Sequence, residues 1–195
     1  MWFSQPRLFF SCNQCGECCR EMDVPLSHRD LLQLAAAMPE SPPSTYVRLR
    51  PSHQLHPEAL LLEGDYQLLF LQRKPTQDEC AFLSPEGSCL NYEARPRACR
   101  SFPFQYARSQ YLQIIPEIDF LYQNFCSKDP VSRQALREAG AHLVTADEEF
   151  AEYQALIQRW NRTVARKHAQ QTLTHLLAFF KAQTAAPQSA LREPR

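Results

Sequence analysis

The chain has 195 residues, 44% of them hydrophobic, and its 21 basic and 21 acidic residues give a formal net charge of zero. This length and composition are typical of one folded domain, or of one domain with a helical appendage. The balanced charge predicts no binding to nucleic acid or to an anionic membrane surface. No apolar run reaches the ~20 residues of a membrane-spanning helix, and the first ten residues lack the features of a secretory signal. We therefore expect a cytoplasmic protein that does not enter a membrane.

The first feature along the chain is SCNQCGECCR, in which four cysteines fall within eight positions. Cys12 and Cys15 form a C-x2-C pair followed by Gly16, a pattern that brings two thiolates to one metal ion. Such a turn often needs a positive φ after the second cysteine, and glycine adopts this conformation at little cost. The pair therefore predicts a metal-binding turn.

Two further cysteines follow in the same segment. Cys18 extends the spacing to the C-x2-C-x2-C run of bacterial iron–sulfur proteins. Adjacent side chains point apart in most backbone conformations. We therefore expect Cys19 to bridge two ions or to serve a second centre.

The segment LSHRDLLQLAAAM predicts a helix after the first cysteines. Ser27 and Asp30 have the spacing of a capping box, and Pro39 ends the apolar periodicity. Residues 41–57 are rich in proline and predict a chain that wraps the surface, with room for one helical turn.

Two later segments have the pattern of strands. In ALLLEGDYQLLFLQ, two apolar runs flank Glu63-Gly64-Asp65, which predicts a β-hairpin. The segment QYLQIIPEIDF predicts a third strand that ends, or lies at a sheet edge, at Pro116.

The C-terminal part has helical periodicity. VSRQALREAG predicts a short helix that Gly140 ends. Thr145 and Glu148 then predict the start of an amphipathic helix of up to ~35 residues, long enough for a break near residues 165–170. We expect its apolar stripe to pack on the rest of the protein, with a surface for self-association or for a protein partner as the alternative. The stripe consists of Phe150, Tyr153, Ile157, Trp160, Val164, Leu173, Leu176, Leu177 and Phe180.

The eight cysteines are the residues from which we predict metal binding. In a reducing cytoplasm cysteines are poor disulfide candidates and good metal ligands. Eight thiolates suit two tetrahedral sulfur sites, a binuclear centre with bridging sulfurs, or one or two iron–sulfur clusters. Zinc, iron and copper(I) all accept such ligands, and the sequence does not choose between zinc and iron. We expect two metal centres and take all eight cysteines as metal ligands: Cys12, Cys15, Cys18, Cys19, Cys80, Cys89, Cys99 and Cys126.

Arginines near the cysteines could contribute to the predicted metal site, and motifs of other functions are absent from the sequence. Guanidinium groups that hydrogen-bond to sulfur would partly neutralise the negative charge of a thiolate site. The equally weighted alternative is that these arginines pair with neighbouring glutamates. The sequence contains no G-x-G-x-x-G, G-x-S-x-G, H-E-x-x-H or Walker motif, so the catalytic residues, if the protein has any, stay unknown and we predict no organic cofactor site. The arginines close to a cysteine are Arg20, Arg95, Arg97 and Arg100.

The segments FSCNQCGECCR, CAFL and GSCLNYEARPRACRSFPF together resemble the CxxCxxCC cysteine-cluster family of the YkgJ type, over roughly residues 8–127. That family is described as zinc- or iron-chelating, which implies a metal-binding cysteine cluster here. The resemblance implies no reaction. Flagellin lysine N-methylases contain a similar cluster, which keeps a methyl-transfer activity open by analogy alone.

We therefore predict an α+β fold with three parts. Residues 1–127 form a small cysteine-cluster metal-binding domain with short strands and helices, residues 128–183 form a helical region packed on it, and residues 184–195 form a flexible tail. The predicted function is to hold zinc or iron, or an iron–sulfur cluster, through up to eight thiolates. The alternatives are an iron- or iron–sulfur-dependent redox enzyme and a protein-modifying enzyme of the lysine methylase type. No substrate is predicted, and whether the protein is an enzyme stays open.

Overall fold

The computed structural model describes residues 8–107, 111–116, 119–165 and 171–185. These residues combine helices with short antiparallel strands, so the predicted α+β class is confirmed. In chain order the elements are β1 (Phe9–Ser11), α1 (Glu17–Glu21), α2 (His28–Ala37), β2 (Val47–Pro51), β3 (Leu60–Leu62), β4 (Asp65–Leu71), α3 (Arg97–Ser101), β5 (Phe104–Ala107), β6 (Tyr111–Ile114), α4 (Asp119–Phe125), β7 (Ser127–Pro130), α5 (Arg133–Arg159) and α6 (Leu173–Ala185).

The chain folds into two compact units. The first, here called the cysteine unit, comprises Met1–Val24 and Arg73–Glu148 and contains all eight cysteines. The second, here called the sheet unit, comprises Pro25–Gln72 and Glu149–Arg195. Helix α5 contributes to both units. The predicted division of the chain after residue 127 stays a prediction.

The cysteine unit contains two small antiparallel pairs of strands. Strand β1 pairs with β7, and Ser11 lies opposite Ser127. Strand β5 pairs with β6, which is the strand predicted before Pro116, and places Phe104 opposite Ile114. A small core forms where Phe104 of β5 and Leu112 of β6 meet the early part of α5. These pairs therefore leave a large part of the unit without a sheet.

That part is the segment between β4 and α3. Residues 72–96, all of them described, contain no helix and no strand. Two isolated bridges join Arg73 with Cys80 and Leu83 with Cys89. Besides Cys80, the buried hydrophobic side chains of this segment are Leu83 and Ala94. Such a segment buries little apolar surface, so other interactions must hold it in place.

The sheet unit is built on a three-stranded antiparallel sheet in the order β2-β4-β3. The predicted hairpin is confirmed as β3 and β4, and both turn residues, Glu63 and Gly64, have positive φ values of 54° and 95°. The proline-rich prediction missed strand β2, although it correctly allowed one helical turn, which covers Pro43–Thr45. The segment VRLRP of β2 alternates apolar and basic residues, and this was the missed signal.

Helices pack on this sheet through the predicted apolar stripe. Tyr153 and Ile157 of α5 are buried, and so is Trp160, which directly follows α5. Leu176 and Phe180 of α6 are also buried. The indole Nε1 of Trp160 donates to the carbonyl of Leu61, at 2.9 Å. Asn161 donates to the Ala59 carbonyl and accepts from the Leu61 N–H, at 2.8 and 2.9 Å. The capping box of Ser27 and Asp30 is also confirmed and starts helix α2.

Two helix boundaries predicted from the sequence are wrong. Helix α5 continues through Gly140, which is buried beside Ala139 of the small core, so tertiary packing overrides the stop signal. Thr145 does not cap a new helix. Its hydroxyl donates to the carbonyls of Ala141 and His142 in the preceding turn, at 3.2 and 3.1 Å.

The later C-terminal predictions fall partly outside the described residues. Helix α5 ends at Arg159 and a π-helical turn follows over Trp160–Ala165. The rest of the predicted break, residues 166–170, lies outside the described part of the chain, and so does most of the predicted tail. Among the described helices, none combines the length and the apolar character that crossing a membrane requires.

A buried histidine lies at the start of α2. His28 has no exposed surface, and its ring stacks on Tyr153 and contacts Phe180 edge-on, with centroids 5.8 and 5.9 Å away. Its Nε2 lies 3.4 Å from a carboxylate oxygen of Glu152, without hydrogen-bond geometry. The same carboxylate pairs with Arg29, at 2.8 Å.

This position determines the charge state of the ring. Burial lowers the pKa of His28 from its usual 6.5, the carboxylates of Glu152 and Glu149 oppose the change, and Arg29 adds to it. The folded protein therefore keeps the ring neutral where the unfolded chain would protonate it.

We expect stability to fall in acid because of His28. Below about pH 6.5 the unfolded state binds a proton that the folded state resists, so the free energy of unfolding falls by up to about 1.4 kcal/mol per pH unit. Above that pH both states are neutral and the contribution is constant. Urea denaturation between about pH 5 and about pH 7.5 should show this slope in the native protein and a smaller slope in His28→Phe. Equal slopes in the two proteins would contradict the assignment.

Candidate metal centre

Backbone pairing brings the first and last cysteines together. Cys12 directly follows β1 and Cys126 directly precedes β7, and Ser11 lies opposite Ser127 in the antiparallel ladder. If the same register continued one residue beyond the end of that ladder, Cys12 would lie opposite Cys126, and cross-strand neighbours are about 5 Å apart. The strand register thus brings the chain at Cys12 close to the chain at Cys126, although the two are far apart in the sequence.

Asn13 fixes the turn between Cys12 and Cys15 next to this pair. Its side-chain amide donates to the carbonyl of Phe125 at 3.2 Å, and its Oδ1 accepts the N–H of Cys15 at 3.4 Å. The pKa of Cys126 is raised by burial and then by the charges of Cys15 and Cys12. Cys12, Cys15 and Cys126 thus form one set of thiols, which we call the outer group.

The remaining five cysteines form a second set, which we call the inner group: Cys18, Cys19, Cys80, Cys89 and Cys99. The N–H of Cys80 donates to the carbonyl of Cys19 at 2.7 Å, which ties the segment after β4 to helix α1. The sulfurs of Cys18 and Cys19 lie 4.0 Å apart. The expectation that these neighbouring side chains diverge is therefore wrong.

The pKa values of the inner group show how close its thiols are. A hydrogen bond with Cys18 raises the pKa of Cys19 to about 12; a hydrogen bond with Cys80 opposes the rise, and burial and the charges of Cys18 and Cys89 add to it. Burial raises the pKa of Cys99 to about 12, and the charges of Cys80, Cys19 and Cys89 add to the rise. Without a cation these thiols are protonated near neutral pH, because their thiolates would repel one another in a buried place.

Backbone N–H groups favour the thiolate forms of two inner cysteines. The pKa of Cys80 is raised by its hydrogen bond with Cys19 and by burial, while the Phe82 backbone opposes the rise. Burial raises the pKa of Cys89, and the backbone of Asn91 opposes it in the same way. In both cases the opposing group lies two residues after the cysteine. This is the arrangement in which a metal-binding turn offsets the charge of its sulfurs.

Gly16 joins the first cysteine turn to the inner group. Its φ is +78°, so the positive φ predicted after Cys15 is confirmed. A Cβ at this position would lie 3.0 Å from the Leu83 side chain and 3.1 Å from the carbonyl oxygen of Gly87. Backbone conformation and lack of space thus both require glycine here.

Two cations that sequence reasoning missed hold the segment around Cys80 through hydrogen bonds, and one of them, Arg73, also lowers the pKa of Cys80. Arg73 has 8% of its side chain exposed, donates to the carbonyls of Met22 and Arg20, and lowers the pKa of Cys80. The ammonium of Lys74 donates to the Leu83 carbonyl at 2.7 Å. The signal for both was present, because Arg73-Lys74 and Asp78-Glu79 are opposite charges that flank a turn directly before Cys80.

Two of the predicted arginines, Arg20 and Arg95, have different surroundings: one pairs with a glutamate and the other acts on thiols. Arg20 pairs with Glu17 at 2.8 Å and donates to the carbonyl of Cys15 at 3.0 Å, so it follows the glutamate-pairing alternative. Arg95 lies over the ring of Tyr92, 3.5 Å from its centroid, and its charge lowers the pKa of both Cys89 and Cys99. Arg95 therefore acts on the inner thiols through its charge, while its Nε donates to the Tyr92 carbonyl; the predicted hydrogen bond to sulfur stays a prediction.

The donor set fits a soft or borderline metal ion. Among the described residues, no three His, Cys, Asp or Glu side chains already surround a common point in metal-ligand geometry. The 4.0 Å between the sulfurs of Cys18 and Cys19 is nonetheless close to the ~3.8 Å between two sulfurs on one tetrahedral zinc ion. Zinc and iron both accept four thiolates as ligands.

The sequence was compared with known protein families, curated proteins and solved structures. Residues 11–127 match the family model CxxCxxCC, described as "Putative zinc- or iron-chelating domain". The chain belongs to the CxxCxxCC family. No curated protein and no solved structure matches it. The CxxCxxCC match includes all eight cysteines, and therefore both the inner and the outer group.

We expect Gly16→Ala to lower the free energy of unfolding by about 2 kcal/mol or more, because strained φ and close contacts add up. Gly64→Ala is the matched control, since Gly64 also has a positive φ, +95°, but nothing lies within 4 Å of its Cβ position. The control should lose about 1 kcal/mol, from conformation alone. Urea denaturation of the two variants measures both losses, and a smaller loss for Gly16→Ala than for Gly64→Ala would contradict this role.

Proposed function

We propose that this protein binds zinc or iron through its cysteines, and that the inner group holds one ion in a tetrahedral, all-sulfur site that stabilises the cysteine unit. The observation that carries the proposal is the convergence of Cys80, Cys89 and Cys99 with Cys18 and Cys19. Cys80 and Cys89 lie in residues 72–96, which contain neither helix nor strand, and Cys99 lies on α3 directly after them. Membership of a family described as zinc- or iron-chelating supports the same conclusion.

A structural role follows from the distribution of the core. Most of the buried hydrophobic side chains belong to the sheet unit, among them Trp160, Leu60 and Leu31. The buried hydrophobic side chains of the segment from Arg73 to Ser101 are Cys80, Leu83 and Ala94. Small domains with too little apolar core commonly gain stability from a metal ion, because metal binding is coupled to folding.

The charges around the inner group support an ion with several thiolates. Four thiolates around one divalent ion leave a net charge of about −2. Arg73 and Arg95 supply positive charge at the site, since they lower the pKa values of Cys80, Cys89 and Cys99. A buried anionic centre needs such partners.

Separate thiolate sites are favoured over one iron–sulfur cluster built on the C-x2-C-x2-C run. Cys12 and Cys15 of that run lie with Cys126, whereas Cys18 contacts Cys19 of the inner group. The run is therefore divided between two places, although a cluster held by four inner cysteines would be compatible with the same thiols. A redox or methyl-transferring enzyme remains the alternative function and would require such a redox-active centre or a substrate site.

We propose a cytoplasmic location and metal ions as the principal partners. A cytoplasmic location suits the proposal, because a reducing compartment keeps the thiols free to bind metal. Self-association through the C-terminal helices is less favoured, since the stripe residues Tyr153, Ile157, Trp160, Leu176 and Phe180 are buried within the sheet unit.

The proposal predicts that metal and the fold of the cysteine unit are lost together. Protein isolated without oxygen should contain zinc or iron, and removal by a chelator should speed hydrogen exchange in residues 73–101. The amides of β2, β3 and β4 should keep their protection, because their core does not involve thiols. Mass-spectrometric hydrogen exchange with and without metal measures both regions. Unchanged exchange in residues 73–101 after complete metal removal would contradict the structural role.

A pair of variants controls this experiment. Cys89→Ser removes one inner thiol, a ligand in the proposed site, and should lower the metal content of the isolated protein. Leu90→Ser changes the neighbouring residue, whose side chain is 70% exposed, and should leave metal content and exchange unchanged. Elemental analysis of the two proteins, prepared side by side, separates the loss of a ligand from the loss of a neighbour.

A further inference from the structure

Helix α1 carries Cys18 and Cys19 but is too short to hold them in place by itself. It has five residues, and isolated helices of this length do not persist in water. The N–H of Met22 donates to the carbonyl of Cys18 at 3.1 Å. The carbonyls that follow need partners from outside the helix, because the last turn of a helix leaves its C=O groups without internal donors.

The partners of these carbonyls come from the segment that leads to Cys80. The N–H of Cys80 donates to the carbonyl of Cys19 at 2.7 Å. The guanidinium of Arg73 donates to the carbonyl of Arg20 and, at 2.8 Å, to that of Met22. The Arg73 side chain thus closes the C-terminal end of the helix that carries two cysteines of the inner group.

The same arginine is fixed relative to Cys80. Its Nε donates to Oδ1 of Asp78 at 2.8 Å, and its backbone forms an isolated antiparallel bridge with that of Cys80. The N–H of Lys74 donates to the carbonyl of Glu79 at 2.7 Å and so closes the turn between them. Arg73 therefore has its backbone beside Cys80 and its guanidinium on the end of α1.

A guanidinium group is the side-chain group that suits this position. Three nitrogens of Arg73 donate to three different acceptors, which belong to Arg20, Met22 and Asp78. A planar fork of five N–H donors can do this, whereas a lysine ammonium is a single point charge. Only 8% of the Arg73 side chain is exposed, so water competes little for these hydrogen bonds. Its charge also reaches the inner group, since it lowers the pKa of Cys80.

We propose that Arg73 is a positioning residue of the inner metal site: by joining the end of α1 to the turn before Cys80, it holds Cys18 and Cys19 where they can share one ion with Cys80. This inference rests on the proposed function. It adds that a residue that binds no metal determines how many thiolates reach the ion. Groups that orient metal ligands in this way commonly change metal affinity by about tenfold to a hundredfold.

Cobalt(II) tests the inference, because it is a coloured ion that accepts the same thiolate ligands as zinc. Full-length protein is freed of metal without oxygen and then loaded with cobalt. We expect Arg73→Met and Arg73→Lys both to weaken the thiolate-to-cobalt charge-transfer band, because fewer thiolates reach the ion. Zinc affinity, measured by competition with a chelator, should fall by about tenfold to a hundredfold in both variants. Arg137→Met is the matched control, since Arg137 is exposed on α5 and its replacement should change neither quantity.

The two Arg73 variants separate positioning from other roles. A native cobalt spectrum in Arg73→Met, with only a lower free energy of unfolding, would assign Arg73 to stability alone and overturn the inference. A native spectrum and affinity in Arg73→Lys would overturn it as well, because charge would then suffice without the fork. Circular dichroism establishes that each metal-loaded variant is folded. If Arg73→Met does not fold, Arg73→Lys, which keeps the charge and the aliphatic stem, decides the test.

The native protein separates the inference from the proposed function. Binding of zinc or cobalt by the native protein supports the proposed function whatever the Arg73 variants do. Native protein that binds no zinc, iron or cobalt would overturn both.

Discussion

The backbone of α1 is tied to the segment after β4, and the arrangement of the cysteines depends on that connection. The N–H of Cys80 bonds the carbonyl of Cys19, and Arg73 donates to the carbonyls of Met22 and Arg20. Residues from two distant parts of the sequence meet there. Without this connection Cys19 would not lie beside Cys80, and the inner group would not form. The isolated bridges and the paired turns around Gly16 and Gly87 extend the same contact.

This connection also explains how the first segment of the sheet unit can interrupt the cysteine unit in sequence. The sheet unit begins at Pro25, and its first segment ends at Gln72. On either side of that segment, Asp23 and Arg73 approach to 3.9 Å. An insertion whose two ends lie close together leaves the surrounding fold intact. The cysteine unit thus keeps its thiols together although 48 residues separate its two parts, from 25 to 72.

Local signals predicted much of the fold, and the misses have physical causes. The capping box of Ser27 and the turn at Gly64 depend on nearby residues, so the sequence predicted them correctly. Gly140 and Thr145 carry equally clear local signals, but the contacts of Ala139 with the core override them. For the site, cysteine spacing predicted metal binding. The grouping of Cys12 with Cys126 depends on strand register over more than a hundred residues, which no local pattern reveals.

The central claim is that one ion is held by inner thiols alone, and X-ray absorption at the metal edge tests it most directly. The sample is a Cys12→Ser, Cys126→Ser double variant, in which the outer group is disabled, isolated without oxygen. An ion held by inner thiols alone should have about four sulfur neighbours at about 2.3 Å, with no nitrogen or oxygen bound to the metal. Nitrogen or oxygen ligands on the metal, or an ion with two sulfurs or fewer, would contradict it.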